Sequence, residues 1–116
     1  MGQVRLRAFN AERDGSALVL KWESEEEVGA SKFELFRKSG QTGEFVLVGS
    51  ADAHGANLQY TIRDTQVYKS PQALIDYKLE VVLESGLRIQ LAELKVNYTP
   101  TAIRRSWGSI KAMFQG

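Results

Sequence analysis

The chain has 116 residues, among them 15 Lys and Arg, 14 Asp and Glu, one His and no Cys. This length suits one domain, and 43% hydrophobic with 25% charged residues is typical of a globular protein. The lack of Cys excludes disulfide scaffolds, thiolate metal sites and cysteine nucleophiles. A formal net charge of +1 argues against a nucleic-acid-binding protein, which usually carries a strong basic excess.

The charge is unevenly distributed along the chain. All 14 acidic residues lie at or before Glu93. The basic residues that follow it are Lys95, Arg104, Arg105 and Lys111. We therefore expect a mildly acidic body and a basic tail.

No stretch approaches the roughly 20 consecutive apolar residues that span a bilayer. The first seven residues also lack the apolar region of a secretory signal. A cytoplasmic location is expected, or a surface or exported one if the chain belongs to a longer protein.

Hydrophobic residues recur at every second position up to Tyr98, a pattern typical of strands with one buried face. The predicted strands cover residues 4–9, 18–22, 33–37, 45–48, 58–62, 75–83 and 87–96. Glycine-containing turns at 14–16, 39–43, 54–57 and 84–86 lie between them. Short strands with no helical stretch between them predict an antiparallel β-sandwich.

Several segments together resemble a bacterial fibronectin type III repeat over about residues 4–98. These are Trp22, 33–40, 43–45, 60–64 and the strand 77–81 leading to Gly86. The resemblance implies seven strands in two sheets, with Trp22 in the core and Tyr77 as the corner tyrosine. The chain has no Arg-Gly-Asp tripeptide, so integrin-type binding is not implied.

After Tyr98 the apolar spacing becomes helical. Thr99 is a candidate N-cap, and Pro100 suits the first helical position. One side of the predicted helix carries Ile103, Trp107, Ile110 and Phe114, with Met113 at its edge, and the other carries Arg104, Arg105, Lys111 and Gln115. Gly108 costs about 1 kcal/mol relative to Ala, so this helix should form only when its apolar side is buried. We thus predict a β-sandwich over 1–98 and an amphipathic helix within 99–116.

The apolar side of this tail has several conceivable destinations. A groove on another protein is favoured, because Trp, aromatic and Arg side chains dominate binding energy at interfaces. The predicted partner-binding residues are Ile103, Arg104, Arg105, Trp107, Ile110, Lys111, Met113 and Phe114. The alternatives are the outer surface of its own domain, the sandwich of a neighbouring copy in a self-assembling subunit, or an anionic membrane surface.

Residues that could support catalysis or metal binding are sparse. His54 is the single imidazole and is interpreted as a solvated turn residue. Glu23 and residues 25–27 are interpreted as a solvated acidic loop, with a contact patch for a basic partner as the alternative, since they lack the spacing of a Ca²⁺ loop. Arg37, Lys38 and Arg63 are interpreted as a basic strip that protects exposed strands.

The sequence therefore predicts a non-catalytic interaction module rather than an enzyme. No cofactor or metal is expected, because no nucleophile–base pair, phosphate-binding loop or metal-ligand spacing is visible. The expected partner is another protein or a copy of the same chain, and nucleic acid is not expected.

Overall fold

The computed structural model describes residues 2–39, 43–67 and 74–98 of the chain. In these residues the chain forms seven strands: β1 Gln3–Asp14, β2 Ala17–Val28, β3 Ala30–Ser39, β4 Val46–Asp52, β5 Gln59–Asp64, β6 Leu74–Leu83 and β7 Arg88–Asn97. A three-stranded sheet has the order β1-β2-β5, and a four-stranded sheet has the order β4-β3-β6-β7. All pairings are antiparallel, which confirms the predicted seven-stranded sandwich. The predicted helix within 99–116 lies outside the described residues.

The core lies between the two sheets and is built from alternate strand positions. Along β2 the buried residues Leu18, Leu20 and Trp22 face inwards, while the residues between them are partly exposed. β6 repeats the pattern with Ile75, Tyr77, Leu79 and Val81. Each sheet buries one face against the other, so the alternating apolar residues of these strands are buried by contacts between the two sheets.

Trp22 occupies the core together with two other aromatic side chains. Its ring stacks on Tyr60 at a centroid distance of 5.2 Å and an interplanar angle of 5°. Phe33 reaches across from the other sheet and lies tilted against both rings, at 5.8 Å from Trp22 and 4.8 Å from Tyr60. The core position of Trp22 that the resemblance implied is thus confirmed.

Several strands extend further than the sequence predicts, and β2 shows why. The interpretation of the acidic run as a loop is wrong, because β2 continues to Val28. Arg5 of β1 lies opposite Glu26, and Arg7 ion-pairs with Glu23 at 2.6 Å. Cross-strand cations offset the repulsion that would otherwise disfavour a strand of consecutive glutamates.

A buried carboxylate joins the two sheets. Asp64, at the end of β5, accepts hydrogen bonds at 2.8 Å from the Arg37 guanidinium of β3 and the Tyr77 hydroxyl of β6. The backbone N–H of Gln66 donates to it as well. Burial, and then the neighbouring Asp64 charge, raises the pKa of Tyr77 well above its ordinary value. Arg37 therefore faces inwards, and its assignment to an exposed basic strip is wrong.

The edges of the two sheets also come close together. At Gly49 of β4, an added Cβ would lie only 3.2 Å from Ile62 Cγ2 of β5. Glycine at this position allows β4 and β5 to approach each other along one side of the sandwich.

Replacing Asp64 should show how much the buried ion pair stabilises the fold. We expect Asp64→Asn to lower the free energy of unfolding by about 3 kcal/mol, because Arg37 would be left as a largely buried, uncompensated charge. Asp14→Asn is the matched control, since it removes the Arg63 partner on the surface and should cost less than about 1 kcal/mol. Urea denaturation measures both values, and equal losses would contradict this role of Asp64.

Candidate contact surfaces

The predicted partner-binding residues all lie beyond the described part of the chain. They are Ile103, Arg104, Arg105, Trp107, Ile110, Lys111, Met113 and Phe114. The structure instead gives the point at which the chain leaves the sandwich. Tyr98 is buried, its hydroxyl donates to the Ser16 carbonyl at 2.8 Å, and the Arg13 guanidinium lies 4.1 Å from its ring centroid.

This anchor defines one end of the sandwich, which we call the exit end. It comprises the β1–β2 turn at Gly15, the last residues of β3 and β5, and Tyr98. Charges here are largely paired. Arg63 contacts Asp14, Arg37 contacts Asp64, and Asp76 accepts from Lys95 at 3.1 Å with Lys38 at 3.8 Å.

The opposite end, which we call the acidic end, carries the β2–β3, β4–β5 and β6–β7 connections and residue Gly2. An added Cβ at Gly2 would lie 2.9 Å from the Val28 carbonyl oxygen, which places the start of the chain here. The Glu84 amide donates to the Gly29 carbonyl at 2.8 Å and thereby ties two of the connections together. Gly29 itself has a φ of 73°, a conformation that glycine adopts without strain.

Carboxylates outnumber cations at the acidic end. They are Glu25, Glu26, Glu27, Asp52 and Glu84. Within the described residues, Arg5 is the cation that ion-pairs with this set, and it is shared at 3.7 Å between Glu25 and Glu26. Lys32, opposite Asp52 in the register, and Arg88 also lie toward this end, but both ion-pair with Glu34, so the end keeps an excess of negative charge.

Apolar side chains are also exposed at the acidic end. Val28 closes β2 and is 49% exposed, Leu58 precedes β5 and is 52% exposed, and Leu87 precedes β7 and is 59% exposed. Each of the three belongs to, or borders, a different connection. Sequence alternation could not identify them, because each lies at a strand boundary where the period-two pattern no longer fixes a face.

His54 lies on this end in a more ordered setting than a solvated turn. Its side chain is exposed, but the ring stacks on Tyr60 at 3.9 Å, and its amide donates to the Tyr60 hydroxyl at 2.9 Å. That hydroxyl donates to Glu27 at 2.7 Å. Burial, with the Glu27 carboxylate adding to it, raises the pKa of Tyr60 to about 12. Glu27 also accepts hydrogen bonds from Ser24 and from the Gly55 amide, so it holds the β4–β5 connection against β2.

The outer face of the four-stranded sheet carries a cluster that sequence analysis missed. The Lys78 ammonium lies 5.2 Å from the Phe36 ring centroid and 4.3 Å from that of Phe45. Lys38 lies 5.2 Å from Phe45 on the same side. The register pairs Phe36 with Lys78, so the aromatic and basic residues meet across neighbouring strands. Phe36 and Lys38 are two positions apart in β3 and alternate with residues that face inwards. This alternation could have predicted that both lie on the outer face.

Glu34 lies on the same outer face and is nearly inaccessible to solvent. Its carboxylate contacts Arg88 of β7 and lies 3.5 Å from the Lys32 ammonium. The hydrogen bond from Arg88 holds the pKa of Glu34 below its ordinary value, against an opposing effect of burial. The two cations thus cover a carboxylate that would otherwise be exposed in the middle of the sheet.

Within the described ranges 2–39, 43–67 and 74–98, no group of three or more His, Asp or Glu side chains could hold a metal ion. Nor do these residues include a helix with the length and apolar character needed to cross a membrane.

Comparison with known proteins gives similarity at the level of structure alone. No protein-family model and no curated protein sequence matches the chain. Among solved structures, OgpA from Akkermansia muciniphila superposes with a TM-score of 0.66 at 10% identity, over 83% of this chain and 27% of OgpA. Pectate lyase Pel3 from Pectobacterium carotovorum superposes with a TM-score of 0.58 at 16% identity, over 86% of this chain and 28% of the lyase.

A third solved structure is similar over nearly its whole length. It is a Fn3-like protein from Clostridium thermocellum, with a TM-score of 0.57, 20% identity and coverage of 84% of this chain and 94% of that one. This chain spans less than a third of the length of OgpA and of the pectate lyase. Together these likenesses support a fibronectin type III-like β-sandwich fold.

The pH dependence of stability should report the Glu34 ion pairs. Because the folded-state pKa of Glu34 lies below its ordinary 4.5, its stabilising effect is present above pH 4.5 and is lost as the pH falls through the folded-state value. We expect Glu34→Gln to be less stable than the parent at pH 7 and to converge with it under acid conditions. Thermal unfolding between pH 3 and pH 7 measures this, and a difference independent of pH would contradict the assignment.

Proposed function

We propose that the protein is a non-catalytic interaction module that attaches to another protein through its segment 99–116. The observation that carries the proposal is the position of the chain exit. Tyr98 is fixed to the body by the Ser16 carbonyl and the Arg13 guanidinium, and the apolar residues of the segment begin at Ile103, five positions later. Only a short connection thus separates a rigid sandwich from a sequence that predicts an amphipathic helix.

The packing of the body supports an external partner. The inner faces of both sheets are filled by each other, with core residues such as Leu20, Leu35 and Leu79 fully buried. A helix with the apolar stripe Ile103, Trp107, Ile110 and Phe114 has no inner face to join. A groove on another molecule would bury that stripe in the helix-in-groove mode.

Two other destinations remain alternatives to a groove on a different protein. Self-assembly is favoured by the unequal charges of the body and the basic segment, and it makes the partner a second copy. Attachment to an anionic membrane is compatible with Arg104, Arg105 and Lys111, but three cations give a weak, salt-sensitive affinity.

Removing the large apolar side chains of the segment should abolish attachment without affecting the body. In dilute solution, Trp107→Ala/Phe114→Ala should unfold within about 0.5 kcal/mol of the parent, because surface substitutions away from packed features have small effects. Gln115→Ala, on the opposite side of the predicted helix, is the control. Urea denaturation makes the comparison, and a loss above about 2 kcal/mol in the double variant would show that the segment completes its own domain.

Membrane attachment can be separated from protein attachment by vesicle sedimentation. We expect the parent chain to stay in solution with neutral and with anionic vesicles at physiological salt. Sedimentation with anionic vesicles at low salt that disappears at high salt would instead favour the membrane alternative.

A further inference from the structure

We propose that the partner of segment 99–116 is a second copy of this chain, and that the segment binds the acidic end of that copy. This inference rests on the proposed function and identifies the surface that receives the segment. The receiving surface comprises the carboxylates Glu25, Glu26 and Glu84 with the exposed side chains Val28 and Leu87.

Charge complementarity supports this pairing. The segment contains Arg104, Arg105 and Lys111 and no acidic residue. At the acidic end, one arginine, Arg5, lies 3.7 Å from both Glu25 and Glu26, so a single cation faces two carboxylates. The exit end is a poorer receiver, because its charges already form close pairs such as Lys95 with Asp76 at 3.1 Å. The largest set of complementary charges is therefore reached when the segment of one copy meets the acidic end of another.

Apolar surface is compatible with the same pairing. Val28, Leu58 and Leu87 are each about half exposed at the acidic end, as Val46, Leu47 and Leu74 are at the exit end, so the acidic end is distinguished by combining such side chains with excess carboxylates. The segment has an apolar stripe centred on Trp107 and Ile110, which must be buried for a helix to form. An interface with apolar side chains at its centre and charges at its rim would bury the apolar groups of both surfaces and pair their charges.

Length excludes the same contact within one copy. The strand β2 has 12 residues and, at about 3.3 Å per residue, separates the two ends by about 40 Å. A helix over residues 100–114 is only about 22 Å long at 1.5 Å per residue. Since the chain leaves at Tyr98 on the exit end, a helical segment cannot reach its own acidic end.

The geometry of the contact determines the type of assembly. The chain leaves the sandwich at Tyr98 on the exit end, whereas the receiving surface is at the opposite end, so each added copy presents a new acidic end or a new segment. Such a heterologous contact does not close on two copies, and it generates open chains or rings. The mass of the assembly should therefore rise with concentration beyond that of a dimer.

The test uses two full-length variants with complementary defects. Glu25→Lys/Glu26→Lys removes the receiving charges and keeps the segment, while Trp107→Ala/Phe114→Ala disables the segment and keeps the acidic end. Glu12→Lys/Glu44→Lys makes the same change in net charge at other exposed glutamates and is the matched control. Sedimentation velocity at low and at physiological salt measures the mass of each protein alone and of the mixtures.

We expect the parent and the matched control to associate beyond a dimer, and each defective variant to be monomeric at the same concentration. An equimolar mixture of the two defective variants should form a 1:1 dimer and stop there, since it contains one intact segment and one intact acidic end. Arg104→Glu/Arg105→Glu alone should be monomeric, because its segment meets like charges at the acidic end of its own copies. Mixed with Glu25→Lys/Glu26→Lys it should grow beyond a dimer, because both kinds of contact are then complementary in charge.

Failure of this inference is distinguishable from failure of the proposed function. A mixture that stays monomeric, association of Glu25→Lys/Glu26→Lys equal to that of the parent, or a parent that is monomeric at all concentrations would each overturn the head-to-tail contact. None of these results argues against attachment of the segment to a different protein. That broader proposal fails only if dilute Trp107→Ala/Phe114→Ala has a destabilised body or if vesicles capture the parent chain.

Discussion

The arrangement of the two sheets at the exit end depends on one buried carboxylate. Asp64 terminates the strand β5 of one sheet and receives donors from two strands of the other, the Arg37 guanidinium and the Tyr77 hydroxyl. Hydrophobic burial alone would hold the sheets together at any sliding offset, since apolar contacts have no direction. The directed bonds to Asp64 restrict that offset, and the hydrogen bond from Tyr98 to the Ser16 carbonyl adds a further directed contact at the same end.

The alternation of apolar residues was sufficient to predict the architecture but not the ends of its strands. Leu18, Leu20 and Trp22 define an inward face from sequence alone, and the sandwich follows from seven such faces. The extension of β2 through Glu25, Glu26 and Glu27 could not be predicted, because the cations that permit it belong to β1 and meet β2 only after pairing. The sequence shows that neighbouring glutamates repel each other. It does not show which cations of another strand lie opposite them, because this depends on the register of strand pairing.

The contact surfaces likewise combine features that the sequence predicts with features that depend on strand pairing. Arg37 and Lys38 are adjacent basic residues, and although a strand places neighbours on opposite faces, their charge predicts that both are exposed. In the structure Arg37 lies inside the sandwich with Asp64, and Lys38 lies outside beside Phe45. His54 was correctly predicted to be exposed, but its stacking on Tyr60 requires a strand partner from outside the turn. The excess of acidic charge was visible in the sequence as a whole. Its concentration at one end required the strand directions, which place Glu25, Asp52 and Glu84 together.

The placement of Gly2 and Tyr98 at opposite ends has a mechanical consequence. Among the described strands, β1 and β7 belong to different sheets, and each is an edge strand bonded along its length to one neighbour. Tension applied between Gly2 and Tyr98 would pull each edge strand parallel to its own axis, against β2 and β6 respectively. The ladder bonds would then be loaded together in shear rather than broken one at a time, and the body would transmit force between whatever holds its two ends.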